Sequence, residues 1–184
     1  MPEYFFYCRD NPDTGDLRMQ LLEAHWSFMD DYADGMIARG PTLMADGLTA
    51  TGSLHIVDLP DAAAARVFAF EEPNFKAGVY AEVLIRRWRN LLGRTMWEFP
   101  GSDESRYLVI TAETDAETER RLLAEHETRL IVYGELSSDD GSERVGSAIA
   151  LEAASRGEVE ALLPDSLGRL EIHLWRFGGR PVSG

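Results

Sequence analysis

Few side chains in this sequence are suited to chemistry, and they are scattered along it. His25 follows Ala24 on an apolar stripe with helical spacing. A neutral imidazole titrates near physiological pH and can accept or donate a proton. The same position also suits a hydrogen-bonded core histidine, and both readings stand at this point. His55 lies in a strand segment that begins Gly52-Ser53, where core packing is the simpler reading. Ser53 lacks the Gly-x-Ser-x-Gly setting of a hydrolase nucleophile, which leaves its hydroxyl for binding. Tyr80 offers a phenol to a pocket wall or to packing, and Gly40-Pro41 marks a bulge or pocket wall in a strand. Glu72, beside Pro73, taken alone reads as a solvated loop acid. Cys8 is the only cysteine, so it has no internal disulfide partner. No set of His, Cys, Asp and Glu has metal-ligand spacing, and no glycine loop cradles a phosphate. These parts allow acid–base chemistry with neither metal nor cofactor.

The elements that position these residues are written twice. Gly40, Asp46, Gly47, Gly52 and Ser53 recur as Gly134, Asp140, Gly141, Gly146 and Ser147 at identical intervals. The flanks repeat as well: Leu21 to His25 against Leu122 to His126, Tyr4 to Tyr7 against Tyr107 to Ile110, and Ile85 to Trp88 against Ile172 to Trp175. A unit of about 90 residues is a small domain and not a solenoid repeat. We divide the chain into residues 1–98, a linker at 99–105 and a degenerate second copy at 106–184.

Within the first copy, the aromatic run of residues 3–8 predicts a strand. The stripe of Leu17, Leu21, Leu22, His25, Phe28, Met29 and Tyr32 predicts one long helix ending near Gly35. Two strands follow, the first, Ile37 to Leu43, interrupted by Gly40-Pro41 and joined to the second by a turn at Asp46-Gly47, since Gly supplies positive φ there. A helix starts at Pro60-Asp61, Glu72-Pro73-Asn74 breaks it, and the last strand runs from Gly78 to Trp88. This βαββαβ order is ferredoxin-like. The second copy repeats it but is shorter after the helix histidine, and it has no counterpart of residues 72–78. The expected fold class is α+β. A four-stranded sheet with helices on one face leaves its other face bare, so the two sheets are expected to cover each other within the chain as an intrachain pseudo-dimer. Pairing through a further homodimer is the competing solution.

The net charge of −14 is spread over both halves. Such a field repels phosphate backbones, which argues against nucleic-acid partners. The cluster Arg86, Arg87 and Arg89 is expected to pair with nearby acids. No apolar run is long enough to span a membrane, and the N-terminus does not read as a secretory signal. A cytoplasmic protein is the expectation.

Over residues 3–90 the sequence resembles the YciI-related (YCII domain) family. The resemblance rests on the Tyr-rich first strand, Ala24-His25, Gly40-Pro41, Asp46-Gly47, Gly52-Ser53, the block from Phe70 to Tyr80, and Arg87-Trp88-Arg89. It implies a dimeric α+β barrel with a pocket between helix and sheet and a His–acid pair as its active centre. The family histidine maps to His25. The family's acid sits in an Asp-Pro dipeptide, which here reads Glu72-Pro73. Some related proteins act on small ring compounds, for example as dehydrochlorinases. The resemblance thus implies a small-molecule enzyme that moves protons in a lyase- or isomerase-like step, with His25 and Glu72 catalytic and with Gly40, Pro41, Ser53 and Tyr80 binding the ligand. The alternatives are a non-catalytic binding or interaction module and, by fold analogy alone, a cofactor-free oxygenase.

Overall fold

The computed structural model describes residues 1–113, 115–163 and 167–180. The first half runs β1 (Glu3–Asp10), α1 (Gly15–Gln20), α2 (Leu22–Asp30), β2 (Met36–Leu43), β3 (Ala50–Asp58), α3 (Ala62–Glu71), α4 (Pro73–Lys76) and β4 (Tyr80–Asn90). The second runs β5 (Ser105–Thr111), α5 (Ala116–His126), β6 (Leu130–Ser137), β7 (Arg144–Ala153), α6 (Arg156–Leu162) and β8 (Leu170–Trp175).

Successive strand side chains point to opposite faces. In β1 this explains an unbroken aromatic run. Phe5 and Tyr7 join a core cluster to which every strand contributes, with Trp88 and Trp175 among its members. Tyr4 and Phe6 pack with Met29 and Phe68 of the helices instead. Both faces are buried, so no polar alternation appears. β5 repeats the arrangement, with Leu108 and Ile110 in the shared cluster and Tyr107 and Val109 beneath the second half's helices.

The strands form a closed barrel in the order β1-β3-β2-β8-β5-β7-β6-β4. Each half supplies an antiparallel four-stranded sheet. The two sheets share their inner faces and also join edge to edge. One seam pairs Thr42 and Leu43 with Trp175 and Leu174, and the other pairs residues Arg87 to Asn90 with Ser137 to Gly134. Closure removes the free edges that would otherwise invite another chain. The repeat is exact in register: Gly40 faces Leu54 as Gly134 faces Ala148, and Thr42 faces Gly52 as Leu136 faces Gly146.

The repeated glycines belong to the seams. A Cβ on Gly134 would collide with the indole of Trp88 across one seam. A Cβ on Gly40 would collide with the Arg176 carbonyl and would touch the indole nitrogen of Trp175 across the other. Each half thus gives a glycine to the other half's tryptophan. The Asp-Gly pairs are turns, as read from sequence: Gly47 and Gly141 have φ of 69° and 75°, and Asp46 and Asp140 accept backbone N–H bonds within the turn.

Three local features differ from the sequence reading. The long first helix is two helices, interrupted at Leu21 (φ −90°, ψ −1°) and followed by a short 3-10 turn at Ala33–Gly35. Only Met29 of α1 and α2 is fully buried, so packing does little to enforce one straight helix. β2 runs unbroken through Gly40-Pro41. The Glu72–Gly78 segment holds the short helix α4 rather than a plain loop. The arginine cluster is paired: Arg89 meets Glu135 at 3.0 Å and Glu119 at 3.6 Å, and Arg87 donates to the Tyr4 hydroxyl at 2.7 Å. No helix among the described residues is long and apolar enough to cross a membrane.

Candidate functional site

Glu72 ends α3 and caps α4. Pro73 takes the first position of α4, where its missing N–H is harmless. The extended backbone of Glu72 lets Oε2 accept the Phe75 N–H at 3.0 Å. Oε1 then lies 2.6 Å from Nδ1 of His25, which projects from α2. At 2% exposure Glu72 is no solvated loop acid. Both of its oxygens are occupied, and its position is fixed by a helix terminus that also favours negative charge.

A polar chain continues from this pair. The Asn74 amide nitrogen lies 3.3 Å from His25 Nδ1 and donates to the Tyr80 hydroxyl at 3.2 Å. Tyr80 donates to Ser53 Oγ at 3.3 Å, and Arg18 donates to the same Oγ at 2.6 Å. Arg18 is held in turn by both oxygens of Asp10, at 2.8 and 3.0 Å. Burial, with the nearby Cys8 and Glu72, pushes the Tyr80 phenol well above its usual range, so it stays protonated. Burial likewise pushes the Cys8 thiol up, which argues against a thiolate nucleophile.

His55, on β3, is buried with its ring centroid 5.7 Å from that of His25 and 5.7 Å, edge-on, from Phe68. Burial above all, then the charges of His25, Arg18 and Arg39, holds its pKa well below the ordinary imidazole value. His55 is therefore neutral at working pH.

These groups border a cavity of about 700 Å³ between α1, α2 and the sheet. His25, Gly40, Pro41, Ser53, His55 and Asn74 are in its wall. Glu72 and Tyr80 are not: Glu72 lies behind His25, and the Tyr80 hydroxyl sits one layer behind, between Asn74 and Ser53. The far wall comes from the other half. Residues 176–180 continue past β8 along β2, with Arg176 N–H donating to the Pro41 carbonyl at 3.3 Å and Gly178 N–H to the Arg39 carbonyl at 3.0 Å. Arg180 fastens this strap to α2 through Glu23, Ser27 and Asp30.

Among the described residues the second half has no counterpart of the His25–Glu72 contact. His126 ends α5, four residues before β6, whereas His25 lies mid-helix, eleven residues before β2. Its ion-pair neighbour among the described residues is Glu125, at 3.8 Å. Ile149 stands in the register position of His55 and is buried in an apolar cluster. A second cavity, of about 630 Å³, lies by the β2–β8 seam and holds Tyr7, Arg9 and His173. His173 contacts Tyr7 at 3.3 Å and Glu171 at 3.5 Å.

Sequence reasoning missed Arg18, Asn74 and the strap. Asn74 was visible in the Glu-Pro-Asn block. Arg18 carried no signal, because its partners Asp10 and Ser53 come from different strands.

Residues 3–89 match the family model of the YCII-related domain. A solved structure of 5-chloro-2-hydroxyhydroquinone dehydrochlorinase (TftG) from Burkholderia phenoliruptrix AC1100, in complex with 2,5-dihydroxybenzoquinone, is 25% identical over 50% of this chain and 98% of its own, with a TM-score of 0.47. Chlorite dismutase from Candidatus Nitrospira defluvii, in complex with imidazole, is 13% identical over 94% of this chain and 89% of its own, with a TM-score of 0.54. An anthrone oxidase-like protein is 11% identical over 96% and 90%, with a TM-score of 0.53. The last two share the fold with both halves of this chain, the dimeric α+β barrel. No curated protein matches.

Proposed function

We propose that this chain, whose first half is a YCII-related domain, is a cofactor-independent enzyme that transfers protons on a small cyclic or aromatic compound. The observation that carries this reading is the 2.6 Å contact between His25 Nδ1 and Glu72 at the wall of a cavity of about 700 Å³. That volume falls within the range of small-molecule sites, about 300–1,000 Å³.

The chemistry follows from the hydrogen bonds. Glu72 accepts the Nδ1 proton, which selects the tautomer with a lone pair on Nε2. Nε2 is then the base. When it takes a proton from the substrate, the buried carboxylate stabilises the imidazolium. The proton returns to another atom of the substrate in an isomerisation, or its removal expels a leaving group in a lyase step. Ser53 Oγ already accepts from Arg18 and Tyr80, so its own O–H is free to donate into the cavity. Polarised by the Arg18 guanidinium, it is placed to support negative charge developing on a substrate oxygen. A non-catalytic module would need Glu72 only as the cap of α4; the approach of its second oxygen to His25 at 2.6 Å favours the catalytic reading.

The test needs no known substrate. The protein is incubated in D₂O with a panel of cyclic ketones, phenols and hydroxyquinones, and deuterium entry at carbon is followed by mass spectrometry. Exchange that the wild type accelerates and His25→Asn does not is the expected result. A panel unchanged by the wild type counts against proton transfer.

A further inference from the structure

The chain is strongly acidic, yet its cavity is not. The ionisable side chains in the wall, apart from the histidines, are Arg18, Arg39, Arg176 and one exposed carboxylate, Asp16. The charge of Arg18 is met by Asp10. The other two arginines are not met in this way. Arg39 is largely buried, its nearest carboxylate is Asp30 at 4.0 Å, and Asp30 is already engaged by Arg180 at 2.8 Å. The buried Nε of Arg39 has no acceptor. A buried N–H left without a partner is destabilising unless something else supplies the oxygen. Arg176 is exposed, and no carboxylate among the described residues lies within ion-pair distance of it.

The pseudo-symmetry of the barrel shows what neutralisation would look like. Arg176 follows Trp175 on β8 as Arg89 follows Trp88 on β4. Across its seam Arg89 faces Glu135 in register and pairs with it, and with Glu119 as well. Across the other seam Arg176 meets Pro41 in the place that corresponds to Glu135. The first half has thus no acid where the second has one. Arg39 has no cationic counterpart either, since Tyr133 occupies its register position. At the seam that opens on the His25 cavity, Arg39 and Arg176 thus stand without the close carboxylate that neutralises Arg89 at the other.

We propose that this cavity takes a small ring compound bearing a carboxylate, and that Arg39 of the first half and Arg176 of the second receive the carboxylate together. This rests on the reading of the His25 cavity as the substrate site. A planar guanidinium pairs with carboxylate through two parallel hydrogen bonds, and Arg39 and Arg176 both stand in the cavity wall. The second half, which has no counterpart of the His25–Glu72 contact among the described residues, contributes a recognition residue to the first. The strap is then part of the binding site, because it presents Arg176.

Isothermal titration with ring-substituted benzoates and their matched benzamides tests this directly. The wild type is expected to bind at least one benzoate ~10-fold or more tighter than its amide, with the preference shrinking as KCl rises. Arg176→Met, at an exposed position, and Arg39→Met should each erase most of that preference, whereas His25→Asn should keep it. Equal affinity for acids and amides overturns the proposal. So does the absence of binding by any acid at millimolar concentration, or an unchanged preference in Arg176→Met. Arginine-dependent acid binding without deuterium exchange would retain the substrate class and remove proton transfer. Exchange confined to neutral compounds would do the reverse.

Discussion

Trp88 lies against Gly134 so closely that no methyl group fits between them, and across the opposite seam the Arg176 carbonyl blocks a methyl group on Gly40, with the Trp175 indole nitrogen beside it. The glycines are therefore docking points for the tryptophans that join the two sheets. Gly134→Ala should force the Trp88 indole aside and lower stability by about 1–3 kcal/mol, as overpacking of a dense core does. Gly141→Ala, at a surface turn, should act through its φ of 75° alone. Urea denaturation of the two variants checks this, and a neutral Gly134→Ala would remove the seam argument.

The shared interior has a consequence for the isolated first half. Residues 1–98 alone would expose Phe5, Tyr7, Ile56 and Trp88, which are all buried in the closed barrel. An apolar sheet face of that kind drives association. Light scattering on the purified fragment should report a dimer or larger assembly. A well-folded monomer would show that one sheet is stable without the other.

Much of the architecture was legible because it is repeated. The glycine spacing, the aromatic strands and the Asp-Gly turns follow from short-range rules, and their recurrence fixes the register of both halves. The His25–Glu72 pairing came from a family pattern rather than from spacing, since 46 residues separate the two. The rest of the site was hidden for physical reasons. Arg18, Arg39 and Arg176 converge through strand order and through a strap from the far end of the chain, neither of which leaves a periodic trace. The break at Leu21 was hidden as well, because the apolar stripe passes through it without interruption.

Stability should depend on pH through His55. Its folded-state pKa lies well below the ordinary 6.5, so the unfolded chain binds more protons once the pH drops beneath that value. Stability then rises with pH through this window and is lost as pH falls below about 6.5, with a slope approaching ~1.4 kcal/mol per pH unit for one group. Burial lowers the pKa of His173 too, despite Glu171, so part of the slope belongs to it. His55→Ile copies the residue that the second half places there, Ile149. The variant should lose the His55 share of the slope between pH 6.5 and 5, as read from urea midpoints. A slope equal to that of the wild type would mean that His55 titrates normally in the fold.

The His25–Glu72 pair must be tested with its structural role in mind. Glu72 caps α4 and is buried, so removing His25 strands a carboxylate in the interior. His25→Asn should therefore lose about 1–3 kcal/mol of stability whether or not the residue is catalytic, and a melting curve alone separates nothing. Glu72→Gln is the more informative change. Glutamine keeps the length and an acceptor for the Phe75 N–H, and the stability cost should be smaller. Its amide N–H₂ can turn toward Nδ1, which then carries the lone pair while the proton moves to Nε2. That is the wrong tautomer for a base at Nε2. If His25 transfers protons, Glu72→Gln should slow deuterium exchange by a factor on the order of 10² to 10⁴ while benzoate affinity changes little. A variant that melts like the wild type and still exchanges at the wild-type rate would show that Glu72 holds α4 in place and plays no part in the chemistry.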